Sequence, residues 1–338
     1  MEVLDSENGV AIIEEQSNGI RHVRVDMKDP SSFVSLRHCT TMYDLRLIKL
    51  IFDVKGPAWL CEEIIRDEDP GYVQRSLKAG VLGYVPRAQF DGSRVLDFGC
   101  GGGASTVVLG RMLGAREIVG IDLEPDLLRI AQARLEFYDM TNVRLRLSTS
   151  PLDLPPDIGT FDFIVLSGVL EHLLPNERRF LLPALWRALN PGGVTFICET
   201  PSRWLPIEMH TTGLPLLNYL PKRIALEYAR RISKTVDRGD SWEDLLRRGI
   251  RGASLQEVLR LIRAETAEHQ LVLTPTAERL RGPIGVWLAG HHDKPRRTWQ
   301  KAALQALRVL AAMPPRLQWR LAPALLPTLR IALRRPSE

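Results

Sequence analysis

The sequence of 338 residues predicts an α/β fold built on a doubly wound, mostly parallel sheet. Short apolar runs of strand length alternate with longer segments of helical character. The apolar runs span 94–96, 117–121, 143–147, 161–166 and 194–198, and the helical segments span 104–113, 125–138 and a stretch that ends at 189. A run of glycines directly follows the first strand. Because strands joined through helices run parallel, this order of elements favours the doubly wound class.

The composition is that of an ordinary globular protein, with 45% hydrophobic and 25% charged residues. No apolar segment follows a basic N-terminal start, as in a secretory signal, and no uncharged apolar run has the length needed to cross a bilayer. The four cysteines are scattered without CxxC spacing, at Cys39, Cys61, Cys100 and Cys198. They predict reduced thiols in a cytoplasmic protein rather than a metal site or a disulfide framework.

Residues 1–90 predict a hairpin followed by a helical cover. Two alternating segments, 10–14 and 20–25, flank an Asn-Gly pair typical of hairpin turns. Residues 41–84 are helical in pieces, with proline-containing breaks near 56 and 70. We expect these helices to cover the edge of a cleft in the α/β sheet.

The glycine-rich turn after the first strand indicates a ligand site. It contains Gly99, Cys100, Gly101 and Gly103. Glycine lets a ligand approach the backbone closely, because it has no Cβ and tolerates positive φ. The turn also satisfies the dinucleotide pattern G-x-G-x-x-A. Asp122 stands about 20 positions later, where the two oxygens of a carboxylate can accept both ribose hydroxyls of either cofactor.

Asp97, two residues before the first glycine, helps to separate two classes of cofactor. A carboxylate beside the turn suits the ammonium group of S-adenosylmethionine, whereas it would repel the pyrophosphate of a nicotinamide dinucleotide. The alternative is that Asp97 only caps the turn through backbone amides, as Asp commonly does.

Four landmarks then follow in order: "VLDFGCGGG", "GIDLEPDLL", "FDFIVLSGVLEHL" and "LNPGG". This series resembles class I S-adenosylmethionine-dependent methyltransferases of the bacterial small-molecule type, specifically over residues 90–200 and more loosely to about 290. The resemblance implies a Rossmann-like sheet of seven strands and S-adenosyl-L-methionine as cofactor. The residues expected to bind it are Asp97, Gly99, Cys100, Gly101, Gly103, Asp122, Leu123 and Ser167.

One landmark departs from the family pattern. Many relatives place an acidic residue just after the third strand, where it meets the adenine amino group. This chain has Ser148-Thr149-Ser150-Pro151 at that point, so the adenine contact is left open.

Residues 91–292 are expected to form the methyltransferase domain. Ser254 and Glu257 have capping-box spacing and predict a helix to about 264. The apolar segments 269–274 and 284–289 then predict the last two strands, of which the final one is usually antiparallel in this family.

An insertion over residues 200–252 interrupts the domain where open α/β sheets bind ligands. It resembles a "TPxR…HxxGLP" lid of some bacterial methyltransferases, and it carries His210. His172 follows the fourth strand, beside the expected methyl position. Both are candidate catalytic bases for an oxygen acceptor, because the imidazole pKa lies near neutrality. The alternatives are a structural loop whose polar groups face water and a His172 that caps the next helix or bonds to the backbone.

Residues 293–338 are predicted to form a basic, amphipathic helical tail. The segment 294–335 carries +10 with no acidic residue, against +5 for the whole chain. Trp299, Ala303, Leu307 and Leu310 share one helical face, which together with the cations suits an anionic membrane surface. The alternative is packing on the core or on a second subunit. Few aromatic residues and no known binding module argue against nucleic acid.

Together these features predict a cytoplasmic methyltransferase, with the tail peripheral to the inner face of the membrane. Its acceptor is a small molecule, methylated at an oxygen of a lipid-linked, prenylated or glycan-type substrate, and no metal is expected. Two alternatives are a nicotinamide-dependent oxidoreductase and a non-catalytic module that binds S-adenosylmethionine. The acceptor's identity and the oligomeric state are left open.

Overall fold

The computed structural model describes residues 1–266, 268–276, 280–291 and 298–337, with the side chains of 298 and 299 excluded. The cations that the sequence places at 294, 296 and 297 therefore lie outside the described residues. Within the described residues, no helix is both long and apolar enough to cross a membrane.

The predicted seven-stranded sheet is confirmed, with six strands running in one direction and one antiparallel strand, β11, near its edge. Its spatial order is β10-β11-β9-β8-β5-β6-β7. The strands are β5 (Arg94–Phe98), β6 (Glu117–Asp122), β7 (Val143–Leu147), β8 (Phe161–Ser167), β9 (Leu189–Pro201), β10 (Leu271–Val272) and β11 (Thr328–Arg334). Strands β5 to β9 pair in parallel, and β11 runs antiparallel to both β9 and β10.

Helices cover both faces of this sheet, which is why its central strands are apolar on both sides. The helices of the domain are α4 (Ala104–Met112), α5 (Pro125–Phe137), α6 (Pro175–Arg187), α9 (Leu255–Thr266) and α10 (Pro283–Gly290). On one face Phe90, Phe163 and Phe196 pack together with α4 and α10. On the other face α6 and α9 bury Trp186 and Ile262. The carboxyl ends of β5, β6 and β8 are thereby left open at one edge.

The prediction of a strand at 284–289 is wrong, because this segment lies in helix α10. A short apolar run does not distinguish a strand from a buried helix by its period. Pro283 occupies the first turn of α10, where its missing N–H has no intrahelical partner to lose. The strand predicted at 269–274 forms only over Leu271–Val272.

The final antiparallel strand is instead β11, which belongs to the segment predicted as a helical tail. Leu329, Ile331 and Leu333 face the cluster under α6 and α9. Arg330 points to the opposite face, where it is buried and ion-pairs with Glu199. The predicted helices are present as well, as α11 (Thr298–Leu310) and α12 (Pro315–Leu325). The C-terminal segment therefore supplies both helices and an internal strand of the sheet.

The predicted N-terminal hairpin is confirmed as part of a four-stranded antiparallel sheet. Its strands are β1 (Glu2–Asp5), β2 (Gly9–Glu15), β3 (Arg21–Met27) and β4 (His38–Thr41). Helices α1 (Leu45–Lys55) and α2 (Pro57–Glu68) follow, separated by Gly56. Residues 70–82 then form two π-helical turns, Pro70–Gln74 and Lys78–Leu82, on either side of the short α3 (Arg75–Leu77).

The insertion after β9 is an ordered helical unit with its own core. It contains α7 (Lys222–Ile232) and α8 (Trp242–Arg247). Leu217, Ala225, Trp242 and Leu245 pack inside it. A parallel bridge between Ser202 and Ala253 closes its base against the end of β9. We call residues 200–252 the lid.

Candidate functional site

A cavity of about 450 Å³ lies at the carboxyl ends of β5, β6 and β8. Its volume is in the range of ordinary cofactor sites, and its position is where open α/β sheets bind ligands. Among the residues predicted from the sequence, those at its wall are Gly99, Cys100, Gly101, Asp122, Leu123, Ser167 and His172. The remaining three, Asp97, Gly103 and His210, lie outside this wall.

The glycine turn forms a cradle that opens into the cavity. Gly99 has φ of +73°, and its N–H and that of Cys100 both donate to the Ile121 carbonyl, at 2.8 and 2.9 Å. A Cβ on Gly99 would lie 2.6 Å from Val169. At Gly101, with φ of +53°, a Cβ would meet no described atom within 4 Å and would project into open space. This missing side chain leaves room for a ligand against the backbone, so the turn fits an S-adenosylmethionine molecule.

Asp122 is the last residue of β6, and its side chain forms a hydrogen bond with the glycine turn. Its Oδ2 accepts from the Gly101 N–H at 2.7 Å, and its Oδ1 accepts from the Glu124 N–H at 3.0 Å. Each carboxylate oxygen has a second acceptor position, so both can also receive a ribose hydroxyl. The geometry agrees with the role that the sequence predicts for Asp122.

Asp97 lies beneath the turn and is almost fully buried. Its Oδ2 accepts from the hydroxyls of Ser105 at 2.8 Å and Thr106 at 2.6 Å, both in the first turns of α4. Burial raises the pKa of Asp97 to about 6, against the opposing effect of these hydrogen bonds. The donors are helix hydroxyls rather than the turn amides of the capping alternative. Its contact with the methionyl ammonium group stays a prediction.

Gly103 lies behind the turn, at the start of α4, and approaches α5. A Cβ there would meet Ala131 at 2.8 Å, and the Gly103 N–H donates to the Cys100 carbonyl at 2.9 Å. The absence of a side chain at Gly103 therefore lets helices α4 and α5 pack closely against each other. The sequence pattern therefore identified a glycine of the turn that has no direct access to the cavity.

A buried arginine, which no sequence motif indicates, joins the N-terminal cover to the glycine turn. Arg134 of α5 is 0% exposed and donates to the Gly102 carbonyl at 2.5 Å and to Glu63 Oε1 at 2.9 Å. It also donates to the Tyr43 hydroxyl at 3.0 Å and lies 3.3 Å from Asp67. Burial lowers its pKa, but these oxygens raise it more, so the guanidinium stays charged. Helix α2 is thereby fixed at the edge of the cavity, which Lys55, Glu63 and Arg66 line.

Hydroxyl groups line the cavity at the end of β7, where the adenine contact was left open. Ser148, Ser150 and Pro151 reach the cavity wall. The Ser148 N–H donates to the Asp122 carbonyl at 2.8 Å, and its hydroxyl donates to the Ser150 carbonyl at 3.0 Å. Leu123 presents exposed apolar surface beside them, suited to one face of a flat base.

At the opposite end the structure brings the two predicted histidines together. The ring centroids of His172 and His210 lie 5.7 Å apart. Glu171, which is 1% exposed, completes a cluster in which one ligand atom of each residue lies within 4.8 Å of the others. Glu171 belongs to the "FDFIVLSGVLEHL" landmark, but the sequence pattern assigns it no role. We call these three residues the His–Glu cluster.

The lid fixes the tautomer of His172. Its Nδ1 lies 2.7 Å from the Arg247 carbonyl, and because a carbonyl only accepts, Nδ1 must carry the proton. In the neutral ring Nε2 is then unprotonated, and it lies 3.9 Å from Glu171 Oε1. Arg247 is itself held by Glu177, with contacts of 2.5 and 2.7 Å. The backbone hydrogen bond that the sequence offered as an alternative role therefore exists, and it leaves Nε2 available as a base.

The protonation states suit proton transfer near neutral pH. Burial lowers the pKa of His172, and burial together with the neighbouring imidazole lowers that of His210. Burial raises the pKa of Glu171 to about 7, although Thr200 donates to its Oε2 at 3.0 Å. The cluster can therefore accept a proton. Two imidazoles and a carboxylate are also a donor set for a divalent cation, and this is the metal-compatible group among the described residues.

Comparison with known proteins agrees with this geometry. A family model described as "Methyltransferase domain" matches residues 95–193. The ubiquinone biosynthesis O-methyltransferase of Rattus norvegicus mitochondria is 33% identical over 128 residues, covering 37% of this chain and 36% of that protein. The carboxy-S-adenosyl-L-methionine synthase of Shewanella baltica is 27% identical over 189 residues, covering 50% and 74%.

Among solved structures, PKMT2 from Rickettsia typhi matches with a TM-score of 0.44 and 17% identity, covering 79% of this chain and 52% of that one. The chain spans about a third of the length of the ubiquinone O-methyltransferases that it matches. The match favours a methyltransferase over the nicotinamide-dependent alternative for residues 95–193. Over residues 95–193 the chain is therefore similar to methyltransferase domains.

Proposed function

We propose that this protein transfers a methyl group from S-adenosylmethionine to a hydroxyl oxygen of a small-molecule acceptor. The observation that carries the proposal is His172, whose Nε2 is kept unprotonated at the wall of the cofactor cavity. An oxygen nucleophile must lose its proton during methyl transfer, and a positioned imidazole typically accelerates such a step by about 10²–10⁴-fold.

The residues divide into those that hold the cofactor and those that act on the acceptor. S-adenosylmethionine supplies a methyl group already activated by its sulfonium. The glycine turn and Asp122 bind and orient the cofactor. Ser167 ends β8 and lies at the wall of the same cavity. His172 Nε2 takes the proton of the acceptor hydroxyl, and Glu171 Oε1 lies 3.9 Å from this nitrogen. Alignment of the two reactants can itself supply about 7–11 kcal/mol of barrier reduction.

A lipid-linked or prenylated acceptor has the most support among the predicted types, ahead of a glycan. The lid exposes large apolar side chains, including Trp204, Ile207, Met209 and Leu216, near the acceptor end. Exposed apolar surface of this kind favours contact with an apolar molecule. The similarity to the rat ubiquinone biosynthesis O-methyltransferase also supports methylation at an oxygen of an apolar acceptor.

Contact of the C-terminal segment with an anionic membrane remains a second-rank proposal. Within α11, Leu304, Leu307 and Leu310 pack against α10 and α12, so much of the predicted apolar face is already covered. Arg335 and Arg330 are ion-paired with Glu268 and Glu199. A contact made by the remaining helix cations would be electrostatic and would weaken with salt. Flotation with anionic liposomes that is unchanged between low and high salt would contradict it.

Transfer from methyl-labelled S-adenosylmethionine to soluble and membrane extracts tests the function. We expect label in the lipid fraction, and a large loss with His172→Asn, whose amide can still donate to the Arg247 carbonyl. His38→Asn, on an exposed strand of the N-terminal sheet, is the matched control. S-adenosylhomocysteine binding without transfer to any fraction would favour the non-catalytic module. Full turnover by His172→Asn would remove the base assignment.

A further inference from the structure

The lid encloses a second cavity, of about 200 Å³, next to the His–Glu cluster. We call it the lid cavity. Its walls come from the end of β9, the lid loop around 205–210, the turn at 251–252 and residues 327–328 before β11. Neither the family match nor the sequence motifs assign it a role.

Arg251 lies in this wall with an unused donor. Its guanidinium is stacked over the Trp242 ring at 4.6 Å, and Nη2 donates to the Leu220 carbonyl. Its Nε is buried and has no hydrogen-bond partner among the described residues. The backbone of Arg251 adopts φ of +70°, a strained conformation for a residue with a side chain. The fold thus holds the guanidinium in place and leaves one N–H directed to no protein group.

Arg251 has no carboxylate partner among the residues that the structure describes. In the part of the chain that the structure describes, neither Arg251 nor its neighbour Arg203 forms an ion pair with a carboxylate. Burial and the proximity of Arg203 lower the pKa of Arg251 to about 10. Glu208 also lines the cavity, but both its oxygens accept backbone N–H groups of residues 210–212. That carboxylate fixes the loop, so an external anion would find an unpaired cation here.

Asn218 supplies an unused acceptor in the same wall. It is 3% exposed, and its Nδ2 donates to the Leu205 carbonyl at 2.9 Å, which fixes the amide orientation. Its Oδ1 is buried without a partner among the described residues. Buried polar atoms are nearly always hydrogen-bonded, so two unpaired atoms on residues that line the same cavity point to a ligand with matching groups. The ligand needs an acceptor for Arg251 and a donor for Asn218.

The lid cavity lies next to the His–Glu cluster, because His210 belongs to both. This residue lines the lid cavity, and its ring lies 5.7 Å from that of His172 at the cofactor cavity. A molecule anchored at Arg251 could therefore extend past His210 toward the methyl position.

We propose that the lid cavity binds an oxyanion of the acceptor, a phosphate or carboxylate group with a neighbouring hydroxyl. Arg251 Nε donates to the oxyanion, and Asn218 Oδ1 accepts from the hydroxyl. The identification of this ligand as the acceptor rests on the proposed methyl transfer. The binding of an oxyanion does not.

Calorimetric titration of the full chain with inorganic phosphate, in the presence of saturating S-adenosylhomocysteine, tests the subsite. We expect Arg251→Gln to weaken phosphate binding by about tenfold or more, because hydrogen bonds to charged groups are strong. Arg203→Gln, which removes only a nearby charge, should weaken it by about threefold and guards against a folding defect in the first variant. Arg238→Gln, an exposed lid arginine, is the matched control and should bind as the unmodified chain does.

The outcomes separate the subsite from the proposed function. Equal phosphate affinity in the unmodified chain and Arg251→Gln, or no phosphate binding by the unmodified chain, would overturn the subsite. Arg251-dependent phosphate binding without methyl transfer would keep the subsite and remove the proposed function. Sedimentation with phosphatidylcholine vesicles, with and without phosphatidic acid, then distinguishes the source. Arg251-dependent binding to the phosphatidic acid vesicles assigns a lipid headgroup, and its restriction to soluble phosphate assigns a free phosphorylated molecule.

Discussion

Replacing Glu171 by Gln should change how the stability of the protein depends on pH. Burial raises the pKa of Glu171 from its ordinary 4.5 to about 7. Between these pH values the unfolded chain has released the proton and the folded chain retains it. The stabilisation associated with this proton is therefore complete below pH 4.5 and is lost as the pH rises through 7. With about 1.4 kcal/mol for each pKa unit, the loss amounts to about 3 kcal/mol.

The Gln side chain cannot ionise, but it still offers an oxygen to the Thr200 hydroxyl. The free energy of unfolding of the unmodified chain, minus that of Glu171→Gln, should fall by about 3 kcal/mol between pH 4.5 and 7.5. Urea denaturation followed by circular dichroism, with EDTA present, measures it. Glu243→Gln, at an exposed position of the lid, controls for the loss of one charge. A difference that stays constant over this range would show that Glu171 does not hold a proton near neutrality, and our account of the His–Glu cluster would be wrong.

Three further results are expected. Asp122→Asn should weaken S-adenosylhomocysteine binding by about tenfold, measured by calorimetry, because it replaces a charged acceptor by a neutral one; unchanged affinity would remove Asp122 from the site. Arg134→Met should lower the free energy of unfolding by about 3–5 kcal/mol by leaving Glu63 buried without its cation, whereas exposed Arg129→Met should not. Dialysis against EDTA should leave methyl transfer intact if His172 acts as a base; loss of activity restored by added Zn²⁺ or Mn²⁺ would instead identify a metal site.

The central strands were predictable because they are apolar on both faces and end in turn residues. At the C-terminus this pattern did not reveal strand β11, and the segment was predicted to be helical. In β11 the sequence Thr328–Arg334 alternates with period two, with Leu329, Ile331 and Leu333 on one face. The opposite face carries Arg330, a residue type rarely buried unless it is paired, so the segment resembled the surface of a basic helix. Its partner Glu199 lies far away in sequence, and only the fold brings the two together.

The site was predictable where a short motif creates it. The glycine turn, Asp122 and His172 lie at the carboxyl ends of neighbouring strands, and parallel strands place these ends at one edge. Groups that depend on contacts between distant segments gave no signal: Arg134 joins α5 to α2, and Arg247 orients His172 across 75 positions of the sequence. Gly103 shows the opposite error, since the motif includes it although it serves helix packing.

The position of β11 constrains how the protein can be made. This strand is near the end of the chain in sequence, yet it lies between β9 and β10 in the sheet. During synthesis, β9 is complete more than a hundred residues before its neighbour exists, and its outer edge offers unpaired backbone groups and apolar side chains throughout that interval. The nascent chain must wait in an aggregation-prone state, so holdase chaperones should bind it before release. Ribosome stalling or premature termination ahead of residue 328 should yield insoluble product, even though every residue of the cofactor cavity has by then been translated.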